Sequence, residues 1–160
     1  MIEKGQNVPS INVFEATADG PKPVSTDDLF SGKKTVLFAV PGAFTPTCSA
    51  KHLPGFVEKK DALKDKGVDQ IVCMSVNDAF VMQAWGKNQG ADGKVAMLAD
   101  GNGDFTRAIG MEIDASGFGM GKRSARYSLL VEDGVVRQVN VEEAPGQMKV
   151  SSAESMLDRL

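Results

Sequence analysis

The 160-residue sequence predicts a single α/β domain with a mixed β-sheet and helices on both faces. Three observations carry that prediction. Two apolar runs, Thr35–Val40 (TVLFAV) and Gln70–Val76 (QIVCMSV), read as strands buried on both faces. A helix-length segment, residues 47–66, lies between them. Further along, two strand segments meet at Asp133-Gly134, a hairpin signal, and a capped helix follows.

The elements follow in order. Ile11–Phe14 is a short strand, and Ser25-Thr26-Asp27-Asp28 offers side-chain caps to a brief helix ending near Gly32. Thr35–Val40 stops at Pro41-Gly42. In residues 47–66 Leu53, Phe56, Val57 and Leu63 share one face, and Gly67 stands where a C′ glycine belongs. Pro54 lies inside that helix and is expected to kink it, because it has no N–H and crowds the carbonyl of Ala50. Asn77-Asp78 caps a helix through Trp85. Val95–Leu98 is a third strand, and Asn102–Ile109 a short helix. Tyr127–Glu132 and Val135–Val141 form the hairpin, and Ser151-Ser152-Ala153-Glu154 reads as a capping box opening the last helix. No repeat or composition break divides residues 1–160.

Composition narrows the function. With 42% hydrophobic residues the chain can bury its own core. A net charge of −3 and a pI near 5.2 argue against nucleic-acid and anionic-membrane partners, which select basic surfaces. No apolar run approaches the roughly 18 residues of a membrane span, and MIEKGQNVPS has no signal-peptide core, so a cytoplasmic setting is expected. Two cysteines, Cys48 and Cys73, and one histidine, His52, cannot build a four-ligand zinc site without carboxylates, so neither metal nor cofactor is expected.

The chemistry gathers in Val40-Pro-Gly-Ala-Phe-Thr-Pro-Thr-Cys48-Ser49, which leaves a buried strand and enters a helix. Cys48 falls in the first turn, where free N–H groups and the positive end of the helix dipole favour a thiolate, so its pKa is expected to fall. A thiolate there can attack a peroxide oxygen and become a sulfenic acid. Charge then moves onto the leaving oxygen, and donors must already be aimed at it. Thr45 brings a hydroxyl three residues before Cys48. A planar, permanently charged guanidinium is the best cation. Arg107, Arg123, Arg126, Arg137 and Arg159 are candidates, and spacing alone does not choose Arg126, which directly precedes a strand, over Arg123.

Pro41, Thr45 and Cys48 match the P-x-x-x-T-x-x-C signature of peroxiredoxins, and PGAFTPTCS followed by His52-Leu53-Pro54-Gly55-Phe56 resembles the type II, peroxiredoxin-5-like subfamily. Cys73–Phe80 with Trp85, Gly93–Asp100 and Arg126–Gly134 agree in order and spacing, so the resemblance spans most of the chain. It implies a thioredoxin-like fold and reduction of hydrogen peroxide and alkyl hydroperoxides. It implies that Arg126 holds Cys48 and the peroxide, that Thr45 hydrogen-bonds the peroxide and that Pro41 shields the site. It also implies a homodimer whose interface includes some of Phe44, Phe80, Phe118 and Trp85. Two-cysteine relatives carry a resolving cysteine near the C-terminus, but Gln147–Ser152 has none. The reading is therefore a one-cysteine cycle closed by an external thiol, either glutathione with glutaredoxin or thioredoxin.

Other readings stand beside these. Cys48 as a buried structural cysteine is disfavoured by its helix-entry position, whereas Cys73, inside an apolar strand, suits inert packing. Thr45 can serve as a helix cap, and Arg126 as a solvated strand-edge charge. His52 lies four residues after Cys48, which invites a Cys–His hydrolase, but no third group is evident to orient the imidazole, and a surface or site-rim histidine is the expectation. The eight methionines read as core filler, and Phe44, Phe80, Phe118 and Trp85 as core or rim packing. A disulfide oxidoreductase would favour C-x-x-C, and Thr45 occupies the place of its first cysteine. A non-catalytic binding or chaperone module is the remaining alternative.

Overall fold

The computed structural model describes residues 1–160. Its elements are β1 (Asn12–Thr17), β2 (Gly20–Ser25), α1 (Thr26–Phe30), β3 (Lys34–Ala39), a π-helical turn (Cys48–His52), α2 (Leu53–Glu58), α3 (Lys60–Asp65), β4 (Gln70–Ser75), α4 (Ala79–Asn88), β5 (Ala96–Ala99), α5 (Asp104–Ala108), β6 (Glu112–Asp114), β7 (Lys122–Ser124), β8 (Tyr127–Glu132), β9 (Val135–Val141) and α6 (Ala153–Arg159). Seven strands form one sheet in the order β2-β1-β5-β4-β3-β8-β9. β3, β4 and β5 are parallel, while β1, β8 and β9 run antiparallel to their neighbours. The mixed sheet with helices on both faces is the architecture the sequence predicts.

Alternation along β3 builds two cores. Val36, Phe38 and Val40 face one side with Leu53, Phe56, Trp85 and Met156. Leu37 and Ala39 face the other with Phe30, Phe105, Tyr127 and Leu129. Burying each large apolar side chain contributes about 1.5–3 kcal/mol, so β3 is a firm anchor for the loop that leaves it.

Local chemistry explains most boundaries. Ser25 caps α1 by accepting from the Asp27 amide, and Asp78 caps α4 by accepting from Val81. Gly67 (φ +89°) ends α3 in a Schellman motif, with its amide on Lys64 O and the Val68 amide on Leu63 O. Asp133 (φ +47°) and Gly134 (φ +79°) make the tight β8–β9 turn.

Four features depart from expectation. β2 (GPKPVS) lies at the sheet edge, where Pro21 and Pro23, two residues apart, turn their nitrogens to the same open side. The short β6–β7 pair has no sequence signal. Residues 47–66 form a π-helical turn and two helices rather than one kinked helix. The Leu53 amide reaches Cys48 O, Pro54 enters at the start of α2, and the chain leaves helical geometry at Lys59 (ψ 9°). Finally, Ser152 rather than Ser151 caps α6, accepting from Ser155, because Ser151 is committed to Glu142.

Candidate active site

Strand register brings the site together. Ala39, the last residue of β3, pairs with Tyr127, the first of β8. The loop leaving β3 at Pro41 and the residue entering β8, Arg126, therefore meet at one end of the sheet. Tyr127 also pairs with Val141, the last residue of β9, and the Glu142 amide donates to Arg126 O at 3.0 Å. Two antiparallel pairings, β3 with β8 and β8 with β9, thus bring Arg126 and Glu142 to the end where β3 releases its loop.

That loop is pinned. Ala43 N donates to Asn77 Oδ1 (3.0 Å), and the one Ser75 hydroxyl proton lies between Asn77 Oδ1 (2.6 Å) and Val40 O (3.2 Å). Gly42 packs so closely that a Cβ there would stand 2.8 Å from the Met120 methyl and 3.2 Å from the Thr45 methyl. Phe44 holds a positive φ of 64°. Past the loop, Trp85 Nε1 donates to Ser49 Oγ at 2.9 Å and fixes the helix start beside Cys48. Pro41 is buried in the strand exit.

Cys48 is 0% exposed and sits at the edge of the apolar core. Its sulfur nevertheless has two polar partners. Thr45 Oγ1 lies 2.8 Å from Sγ, and Arg126 Nη2 donates to Sγ at 3.0 Å. The first intrahelical amide bond runs from Ser49 N to Thr45 O, so the amides of Thr47 and Cys48 precede it and have no helical acceptor. Thr45 Oγ1 is also 2.7 Å from Gly42 O. One hydroxyl proton faces two acceptors. It can point at Gly42 O while a thiol proton points back, or turn to a bare sulfur. Thr45 does not cap an amide; its hydroxyl is shared between Gly42 O and the sulfur.

Arg126 is 2% exposed, so it is not a solvated edge charge. Its guanidinium forks: Nη2 to Cys48, Nη1 to His52 Nδ1 (2.8 Å) and Nε to Pro145 O (2.9 Å). Arg123 is spent elsewhere, on Met120 O and Val76 O. The histidine corrects the surface expectation, being 0% exposed and packed on Phe38 at 4.9 Å between ring centroids. An arginine cannot accept, so Nδ1 is the unprotonated nitrogen and Nε2–H donates to Ser151 O at 2.9 Å. Burial, and then the Arg126 charge, lower the His52 pKa from 6.5 to about 3. Nothing here makes His52 a base for a Cys–His hydrolase, because its acceptor faces a cation.

Glu142 accepts from the amides of Lys149 (2.9 Å), Val150 (2.9 Å) and Ser151 (2.7 Å) and from Ser151 Oγ (2.6 Å). Burial alone would raise its pKa, but these four donations together hold the carboxyl below its ordinary value. Cys73 sits on β4 within the same apolar cluster, and burial, then nearby Cys48, raise its thiol well above the usual range. Phe44 (52% exposed), Phe80 (71%) and Phe118 (84%) are not core, whereas Trp85 is fully buried. The groove of about 380 Å³ lined by Lys60, Lys64, Gln83 and Lys94 includes none of these site residues.

Both perturbed groups weaken the fold in acid. Glu142 has a folded value below the unfolded one, so its stabilisation is present above about pH 4.5 and is lost as pH falls through the folded value. His52 stays neutral when folded and protonates when unfolded, so stability also falls from about pH 6.5 down towards 3. Thermal melts from pH 7.5 to 4 should show this loss, and His52→Asn should flatten its upper part. A melting temperature constant down to pH 5 in the parent protein would contradict the His52 assignment.

The chain resembles known proteins along almost its whole length. A family model described as Redoxin matches residues 3–157. Peroxiredoxin-2B of Arabidopsis thaliana is 48% identical over 161 residues, 99% of this chain and 98% of that protein. The chloroplastic Peroxiredoxin-2E of the same plant is 50% identical over 99% of this chain and 69% of its own. Among solved structures, reduced Prx3 of Vibrio vulnificus in complex with hydrogen peroxide superposes with a TM-score of 0.94 at 52% identity, covering 99% of both chains. With a mixed sheet that delivers a cysteine, a threonine and an arginine to one sheet end, and with these relatives, the chain belongs to the redoxin family, among its peroxiredoxins.

Proposed function

We propose that this thiol-dependent peroxidase reduces its peroxide at Cys48, with Thr45, Arg126 and Pro41 as the residues that make the sulfur effective. One observation carries the assignment: a single sulfur stands 2.8 Å from the Thr45 hydroxyl and 3.0 Å from the Arg126 guanidinium. The thiolate attacks one peroxide oxygen, an S–O bond forms and the O–O bond breaks. The departing oxygen leaves as alkoxide or hydroxide and takes a proton, and Cys48 becomes a sulfenic acid. Thr45 can turn its one proton from Gly42 O to sulfur or substrate oxygen, and Arg126 supplies fixed positive charge where negative charge moves. Pro41, buried where the loop leaves β3, is assigned the shielding of the sulfur by the family resemblance. Thr45→Val should slow the peroxide step about tenfold, about 1.4 kcal/mol, and Thr45→Ser should recover it. Equal rates for all three would remove the hydroxyl from the mechanism.

Two equivalents of an external thiol close the cycle. The first displaces water from the sulfenic acid to give a mixed disulfide, and the second releases Cys48 and an oxidised dithiol. Glutathione with glutaredoxin is the favoured reductant and thioredoxin the other. The whole of residues 1–160 is taken as the functional unit, in a thiol-rich compartment such as the cytoplasm. No helix is long and apolar enough to cross a membrane. The test is peroxide consumption with glutathione plus glutaredoxin against thioredoxin plus its reductase. Turnover with neither would overturn the one-cysteine cycle, and rapid insulin reduction without peroxide turnover would favour a disulfide oxidoreductase.

A homodimer is the fitting assembly. Exposed Phe44 belongs to the site loop, exposed Phe80 lies three residues after Asn77, which pins that loop, and exposed Phe118 lies two residues before Met120, which packs on it. A second copy of the chain would shield them. Sedimentation should give twice 17.0 kDa for the parent and a monomer for Phe80→Asp.

A further inference from the structure

We infer that His52 is the positioning residue for Arg126: a neutral, locked imidazole orients the guanidinium without cancelling its charge. This rests on the peroxidase reading above. A buried arginine is ordinarily paired with a carboxylate, yet every ion pair of this chain lies elsewhere and none involves Arg126. Its Nη1 instead meets His52 Nδ1 at 2.8 Å. A carboxylate in that place would hold the guanidinium equally well, but would draw its field away from the sulfur 3.0 Å from Nη2.

The imidazole is held from every side. Nε2 donates to Ser151 O, and the Glu142 carboxylate fixes that carbonyl's segment through the amides of 149–151. The ring packs on Phe38 at 4.9 Å and Phe56 at 5.7 Å. The π-helical turn carries both Cys48 and His52, so one planar fork spans two side chains of the same turn. The charged groups acting on the ring are Arg126, just before β8, and Glu142, just after β9; Cys48, on the same turn, shares the Arg126 fork with it. Glu142 is occupied by amides, and Arg126 opposes protonation. The ring therefore stays an acceptor across the working pH range.

Three variants separate positioning from packing. His52→Phe keeps the ring and removes the acceptor. His52→Asn returns an acceptor oxygen near the place of Nδ1. His52→Asp keeps an acceptor but adds the cancelling charge. The readouts are the second-order rate of reduced protein with hydrogen peroxide and the pH profile of Cys48 alkylation by iodoacetamide. We expect His52→Phe and His52→Asp to slow the peroxide step at least tenfold, with Asp moving the alkylation profile to higher pH and Asn recovering most of the rate. In an Arg126→Lys background, His52→Phe should change the rate less than twofold. Parent-like rates for Phe and Asp, or equal losses with and without Arg126, would overturn the inference. Should Phe fail to fold, Asp against Asn decides alone: equal rates would overturn it. A parent protein that consumes no peroxide would instead remove the peroxidase reading, and that outcome is distinct from an active parent indifferent to His52.

Discussion

Cys48→Ser is expected to lose peroxide turnover to background, by more than about 10³-fold, while keeping its fold. The sulfur is the one strong nucleophile at the site. A serine hydroxyl would need a general base, and the nearest imidazole has its free nitrogen turned to Arg126. Stability should barely move, because the new hydroxyl inherits Thr45 and Arg126 as partners. The cost should stay within the roughly 0.5–1.5 kcal/mol of an ordinary hydrogen bond. Residual turnover above a few per cent would mean that the chemistry lies elsewhere. A folded but inactive variant would exclude a binding or chaperone module as the source of peroxidase activity.

Cys73→Ser gives the opposite pattern. Cys73 is fully buried on β4, opposite Phe38 of β3, and its environment is apolar. A hydroxyl there is buried without a designed partner and should cost about 1–3 kcal/mol of stability, while turnover at low temperature is retained. The two cysteines thus separate along different axes, one by rate and one by melting temperature. Mass spectrometry of peroxide-treated parent protein should find Cys48 oxidised with no Cys48–Cys73 bond.

The legible parts of the molecule were those set by short-range pattern. Thr35–Val40 and Gln70–Val76 are buried on both faces, and apolar runs signal this directly. Ser25, Asp78, Gly67 and Asp133-Gly134 terminate elements through local hydrogen bonds and local φ. Cys48 and Thr45 are three residues apart, so sequence placed them on one turn. Arg126 and His52 were harder for different reasons. Spacing alone does not separate Arg126 from Arg123, and only the family resemblance points to it; physically the β3–β8 register decides, and register is a long-range property. His52 follows the polar Lys51 and is a polar side chain itself, so it reads as exposed, yet the π-helical turn rotates it inward onto Phe38 and Phe56. Glu142 gave no signal, because its partners lie seven to nine residues on in a loop with no pattern of its own.

Arg126→Ala is expected to slow peroxide attack by about 10²–10³-fold, the equivalent of about 2.7–4 kcal/mol of transition-state stabilisation. The guanidinium is 2% exposed and ends 3.0 Å from the sulfur, so its field acts where water does not screen it. As the O–O bond breaks, charge leaves sulfur for the departing oxygen, and a planar fork can follow it without reorganising. Removing this group should cost the fold much less. Three acceptors, Cys48 Sγ, His52 Nδ1 and Pro145 O, lose a donor, but the burden of burying an arginine charge disappears with it. Arg126→Lys should fall between parent and alanine. An ammonium keeps the charge yet cannot reach Cys48, His52 and Pro145 together, and its loss of rate measures the fork rather than the charge. Stopped-flow rates beside thermal melts decide the matter. A variant as fast as the parent would remove Arg126 from the mechanism, and one that merely unfolds would make it a structural arginine.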